Sequence, residues 1–180
     1  MKELEWIKKA RELIGIEEVK GEHHNPTIVK WLENMGEYSN ESKAWWRDDE
    51  KPWCGLFVAH ILGQSGRYVV KEWYRAKEWA ASQNMNRLLA PAYGCLAVMD
   101  RAGGGHVGFV VGKDQRGNIM VLGGNQNDQV SIAAFKPDRI THYMWPSQWL
   151  DGAPMRSVPH DNRYDLPLLK SDGTVSSNEA

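Results

Sequence analysis

CLAVMDRAGGGHVGFVVGKDQRGNIMVLGG, residues 95–124, decides the fold. Three runs inside it, CLAVMD, HVGFVVG and NIMVLGG, are short, apolar and rich in valine, the pattern of β-strands. GKDQRGN between the last two supplies the residues of a hairpin turn. Downstream, QVSIAAF and RITHYMW (129–135 and 139–145) extend the series to a fourth and a fifth strand.

Upstream of residue 95 the period is helical. Leu4, Ile7, Ala10, Arg11 and Ile14 trace one stripe that stops at Gly15, a C-terminal cap. Asn25-Pro26 opens a second helix, TIVKWLENMG, with Ile28, Trp31, Leu32 and Met35 on one face and Gly36 at its end. Residues 38–51 are polar around Trp45 and Trp46 and read as a structured loop. After Pro52, CGLFVAHILGQSG holds Leu56, Phe57, Ala59, His60 and Ile61 in helical reach, and glycines from Gly63 onward stop it. Trp73, Ala76 and Ala80 predict one more helix within residues 71–90. Helices first and strands after make an α+β chain, with N-terminal helices packed on a central antiparallel sheet. Residues 1–150 are expected to form one domain. Residues 151–180 turn to proline, serine, asparagine and aspartate without a periodic face and are expected to be a mobile extension.

Composition excludes several classes of function. A net charge of −1 over 180 residues provides no basic excess for gripping nucleic acid or acidic lipid. Two cysteines are too few for a disulfide scaffold, so free thiols are expected. No run approaches the roughly 20 apolar residues of a membrane helix, so no membrane insertion is expected. The N-terminal stretch is charged and amphipathic rather than a signal peptide, which predicts synthesis in the cytoplasm. The nine tryptophans are read chiefly as core.

Motif matches fall away on context. GGGHVG satisfies the dinucleotide-site expression, but a valine-rich strand follows where that site needs a helix N-terminus. Gly112-Lys113 lacks the spacing of a phosphate loop. Six histidines include no H-E-x-x-H pair, so neither metal nor cofactor is expected.

Cys54 is different, because it stands where the helix CGLFVAHIL begins. Unsatisfied N–H groups and the helix dipole favour the thiolate there, and the same N–H groups can stabilise an oxyanion. A cysteine nucleophile needs a base, and the base needs an orienting acceptor. His106 follows a run of glycines at the start of a strand, and Asn125 comes one strand later in LGGNQN. Adjacent antiparallel strands can bring two such side chains together. The candidate catalytic set is Cys54, His106 and Asn125, with Gln126 as orienter if Asn125 faces away. A cationic His106 would lower the Cys54 pKa below the roughly 8.5 of a free thiol. Cys95, inside a strand, reads as a structural thiol. His60 and His142 are rival bases, the first nearly two turns along the Cys54 helix and the second on a later strand.

Taken in order, WCGLFVAHIL, GGGHVGFVVG and VLGGNQNDQV resemble the CHAP and NlpC-type cysteine peptidases of the papain-like superfamily, notably single-domain wall hydrolases of phages and bacteria. HHNPTIVKWLE and DEKPWC also look like that group, and the resemblance covers about residues 5–145. It implies a nucleophile at a helix N-terminus packed on an antiparallel sheet, with residues 1–150 as the catalytic domain and peptidoglycan as substrate. Its nucleophile falls on Cys54, its base on His106 and its orienter on Asn125. Many relatives open the strand before the histidine with Gly-Asp, where this chain has Gly94-Cys95. The aspartate before the NlpC-type nucleophile is Trp53 here, which brings the chain closer to CHAP.

The resemblance therefore implies a thiol hydrolase, endopeptidase or N-acetylmuramoyl-L-alanine amidase, acting on the wall or periplasm after release or injection. A phage endolysin or a secreted antibacterial effector fits; an effector would bring an immunity protein as partner. A monomer is expected. Two other readings stand beside this one: a thiol acyltransferase or transamidase on the same triad, and a non-catalytic wall-binding module.

Overall fold

Helices precede strands along the chain, as the change of period requires. The computed structural model describes residues 1–21, 23–35, 52–101 and 104–176. The Gly36 cap and the loop expected over 38–51 lie outside the described residues.

Helix α1 (Glu5–Glu12) turns Trp6, Ile7 and Ala10 inward, following the apolar stripe. Helix α2 (Pro26–Met35) buries Ile28, Trp31, Leu32 and Met35. Its start is set by Asn25, whose Oδ1 accepts the Thr27 N–H at 2.9 Å, with proline in the first helical position. Helix α3 (Cys54–Gln64) is apolar almost all round and is correspondingly the central, buried helix. Helix α4, Ala76–Ala81, is the short helix expected within residues 71–90. Trp73 precedes it in a turn whose carbonyl accepts the Trp79 indole N–H at 2.9 Å. Residues beyond it form β1 (Asn86–Leu88), which pairs with the last strand of the sheet.

Strands β2 (Leu96–Arg101), β3 (Gly104–Lys113), β4 (Ile119–Gly123), β5 (Ser131–Phe135) and β6 (Ile140–Trp145) lie where the valine-rich runs place them. Together with β1 they make a six-stranded sheet in the order β1-β6-β2-β3-β4-β5, and every pair is antiparallel. The β3–β4 turn is fixed by Asp114. Its Oδ1 accepts the N–H groups of Arg116 and Asn118 at 2.8 and 2.9 Å, and its Oδ2 accepts the Asn118 amide at 2.8 Å.

Aromatic packing joins helices to sheet. Phe57 of α3 meets Phe109 of β3 edge-on at 6.1 Å, and Trp6 of α1 meets Trp145 of β6 at 5.6 Å. Trp31 of α2 lies 6.4 Å from Phe57 and stacks on His60 at 4.8 Å, which fixes α2 against α3. Six of the tryptophans (Trp6, Trp31, Trp53, Trp73, Trp79 and Trp145) are buried, whereas Trp149 is half-exposed.

A small hairpin, β7 (Gln148–Leu150) with β8 (Ala153–Met155), follows the sheet. The segment beyond it is hydrogen-bonded to the rest of the chain through backbone N–H groups and one arginine side chain. The Leu169 N–H donates to Lys113 O at 2.8 Å, the Ser176 N–H to Ala134 O at 2.8 Å, and Arg163 Nη2 to Lys2 O at 2.7 Å. Main-chain pairing of this kind needs no apolar period, so composition does not reveal it.

Candidate active site

Cys54 is the first residue of α3 and is buried. Among the described residues no side chain caps the helix, so its first N–H groups remain available at the sulfur end. The preceding Trp53 is held by its indole N–H, 3.2 Å from Glu18 Oε2. Behind the nucleophile, Gly55 leaves space that the Trp73 carbonyl occupies; a Cβ there would collide with that oxygen. The helix start is thus fixed from both sides.

His106 lies on β3, fully buried, paired across β2 with Met99, and its ring stacks on Phe135 with centroids 5.7 Å apart. Its Nε2 is 3.1 Å from Oε1 of Gln126. The Gln126 amide is anchored at its other end, where Nε2 donates to Ser131 O at 2.7 Å and to Val121 O at 3.2 Å. Carbonyl oxygens only accept, so the amide nitrogen must face them and the amide oxygen must face the ring. Nε2 of His106 consequently carries the proton, and Nδ1 is the basic nitrogen. Gly123 makes this contact fit: a Cβ on it would lie 2.7 Å from Gln126 Oε1 and 3.3 Å from His106 Nε2.

The amide oxygen on the imidazole thus belongs to Gln126, the second of the two candidates for orienter. Asn125 is buried beside it in the left-handed region, with φ of 57°. That conformation turns the chain after β4, and Gln126 is the residue whose amide reaches the ring.

No hydrogen bond joins Cys54 and His106 among the described residues. The backbone of Val107, the residue next to His106, and the N–H groups of Cys54 and Gly55 act on the sulfur to favour its thiolate. Burial pushes the Cys54 thiol above its ordinary range and outweighs these N–H groups and the nearby Arg101 charge, all of which act to lower it. A helix N-terminus favours the thiolate, as expected, but desolvation of the buried sulfur opposes it.

An open cleft of about 380 Å³ gives access to the sulfur, with Cys54 at its floor and Arg75, Lys77, Glu78, Arg101 and Gly105 among its walls. A larger cavity of about 460 Å³, lined by Gly63, Tyr68 and Trp149, holds no thiol, so chemistry favours the smaller one. Cys95 is fully buried on the approach to β2, its pKa pushed up to about 12 by burial, as suits a structural thiol. His60 stacks on Trp31, and His142 lies on β6 with β2 between it and β3. None of the three histidines lines the cleft itself; His106 follows directly on Gly104 and Gly105, which do. Arg101, the last residue of β2, is the cleft residue that sequence reasoning passed over. A lone arginine at a strand end carries no pattern, and only its placement beside the glycine run before His106 could have drawn notice.

A family model described as CHAP domain matches residues 34–125, just over half of the chain. The matched stretch contains Cys54, Arg101, His106 and Asn125. No curated protein and no solved structure gives a match.

Proposed function

The chain belongs to the CHAP domain family, and on that premise we propose that it is a cysteine-dependent hydrolase cleaving an amide bond in the peptide part of peptidoglycan. One observation carries the chemistry: Gln126 holds His106 in the tautomer that leaves Nδ1 basic, on the strand whose Val107 backbone acts on the buried Cys54 sulfur at the start of α3.

The reaction begins from a neutral thiol and a neutral imidazole. Substrate entering the cleft brings a carbonyl carbon to the sulfur, and His106 Nδ1 takes the thiol proton as the C–S bond forms. Catalytic contacts commonly close only in the complex, and here the ring and sulfur draw together at that step. The oxyanion of the tetrahedral intermediate accepts the Cys54 N–H. Collapse breaks the C–N bond while His106 returns the proton to the leaving amine. Water, deprotonated by the same nitrogen, then hydrolyses the thioester and restores the thiol. The Gln126 oxygen stabilises the imidazolium at each stage.

The finer assignments follow from the same reading. The scissile bond is within the stem peptide or cross-link, or between the lactyl group and L-alanine. The enzyme acts as a monomer, as an endolysin or an injected effector with an immunity protein. The deciding measurement is mass spectrometry of purified peptidoglycan after digestion. Wild type should release fragments ending in a new carboxyl group and a new amine, and Cys54→Ala should release none. Identical products from both proteins would overturn the proposal.

A further inference from the structure

We infer that Arg101 forms a carboxylate-binding subsite in the Cys54 cleft, one that holds an anionic group of the substrate beside the scissile amide. The inference rests on the hydrolase reading above and adds the charge of the substrate to it.

Three cations line the cleft, and two are occupied. Arg75 Nη1 lies 2.9 Å from Glu72, and Lys77 Nζ lies 3.1 Å from Asp100. Arg101 makes no ion pair among the described residues, although Glu78 also lines the cleft. Its Nε is buried and finds no hydrogen-bond partner among them. A buried guanidinium N–H without an acceptor costs free energy, so native structures seldom leave one unless a ligand or water completes it. The guanidinium is permanently charged and planar, and its fork matches a carboxylate in two parallel hydrogen bonds.

Two glycines flank this position. Arg101 pairs with Gly104 across the β2–β3 register, and a Cβ on Gly104 would lie 3.7 Å from Arg101 Nε. At Gly105 a Cβ would come within 3.2 Å of Lys77 and 3.3 Å of Ala76, so glycine lets α4 close over the cleft wall. The Arg101 charge also acts on the Cys54 sulfur, which places the two groups within electrostatic reach. Peptide stems of cell walls carry free carboxylates, and a stem carboxylate one residue from the scissile carbonyl is a ligand of suitable size and charge.

The test uses two alkylating probes that differ only in the group to be recognised: iodoacetate bears a carboxylate, and iodoacetamide bears the neutral amide. Site-resolved mass spectrometry gives the Cys54 rate with each in wild type, Arg101→Gln, Arg101→Lys and Lys77→Gln at pH 8.5. The ratio of the two rates cancels any common effect on thiolate population. Arg101→Gln should lower the iodoacetate-to-iodoacetamide ratio roughly five- to tenfold, Arg101→Lys less, and Lys77→Gln under about twofold. An unchanged ratio in Arg101→Gln overturns the subsite, even if both rates fall together. An equal drop in Lys77→Gln also overturns it, since the effect would then be a diffuse field. Labelling of buried Cys95 would reveal an unfolded variant, in which case an unchanged ratio in Arg101→Lys overturns the assignment and a lowered one supports it. None of these readouts needs wall cleavage, so a failed hydrolase reading and a failed subsite give different results.

Discussion

The orientation of a single amide decides which nitrogen of His106 does chemistry. Because Gln126 Nε2 is committed to the carbonyls of Val121 and Ser131, its oxygen can only accept from the ring, and the ring can only present Nδ1 to the thiol. Gln126→Ala should therefore lower kcat by a large part of the roughly 10²–10⁴-fold that a positioned general base contributes. Asn125→Gly, which keeps the left-handed backbone, should lower it far less. Steady-state rates on soluble wall fragments compare the two, and a greater loss in Asn125→Gly would return the orienting role to Asn125. The thiol makes a second prediction at this scale. A Cys54 pKa raised by burial means that alkylation by iodoacetamide should be slow at neutral pH and still climbing at pH 9. A plateau below pH 7 would show instead a preformed thiolate–imidazolium pair.

At the scale of elements, the site depends on how closely β4 approaches the end of β3. Gly123 closes β4, and a methyl there would press on both the Gln126 oxygen and the His106 ring nitrogen. Gly123→Ala should displace that pair, reducing turnover by more than tenfold while costing about 1–3 kcal/mol of stability, as overpacking of a filled site does. Activity assays with urea unfolding would separate the two effects, and full activity would show that the pair tolerates the shift. The same elements show what the sequence could say. Strands β2 to β6 are readable because each is a short apolar run between turn residues, and α3 because its apolar run begins at Cys54, two residues after Pro52. The end of the 71–90 stretch is not, since Ala76 and Ala80 have helical spacing while Leu88, only a few residues on, is drawn into the sheet by pairing with Tyr143. Likewise, adjacent amides at 125 and 126 look equivalent until the positive φ of Asn125 determines which one reaches the ring. Long-range partners decide both cases, and a local pattern does not contain them.

At the scale of the whole molecule, burial of titratable groups sets the pH range of stability. His60, held against Trp31, has its pKa lowered to about 4 from 6.5 by burial. The folded state thus binds its proton less readily than the unfolded chain, so its contribution is present above pH 6.5 and lost as pH falls towards 4. At the other end, burial raises Cys95 from 9.0 to about 12 and Tyr143 from 10.0 to about 12, and Cys54 moves in the same direction. Unfolded chains ionise these groups first, so stability present below pH 9 is lost as pH rises towards 12, by up to about 1.4 kcal/mol per pH unit for the fully buried Cys95 and by less for the half-exposed Tyr143. Urea midpoints should accordingly form a plateau between about pH 6.5 and 9 with a fall on either side. His60→Phe, which keeps a ring against Trp31 and cannot titrate, should flatten the acid limb and leave the alkaline one. Cys95→Ala should soften the alkaline limb, with Cys54 and Tyr143 retaining part of it, and should lower the plateau by about 1 kcal/mol for the void it leaves. An acid limb unaltered in His60→Phe would mean that the carboxylates alone govern acid unfolding.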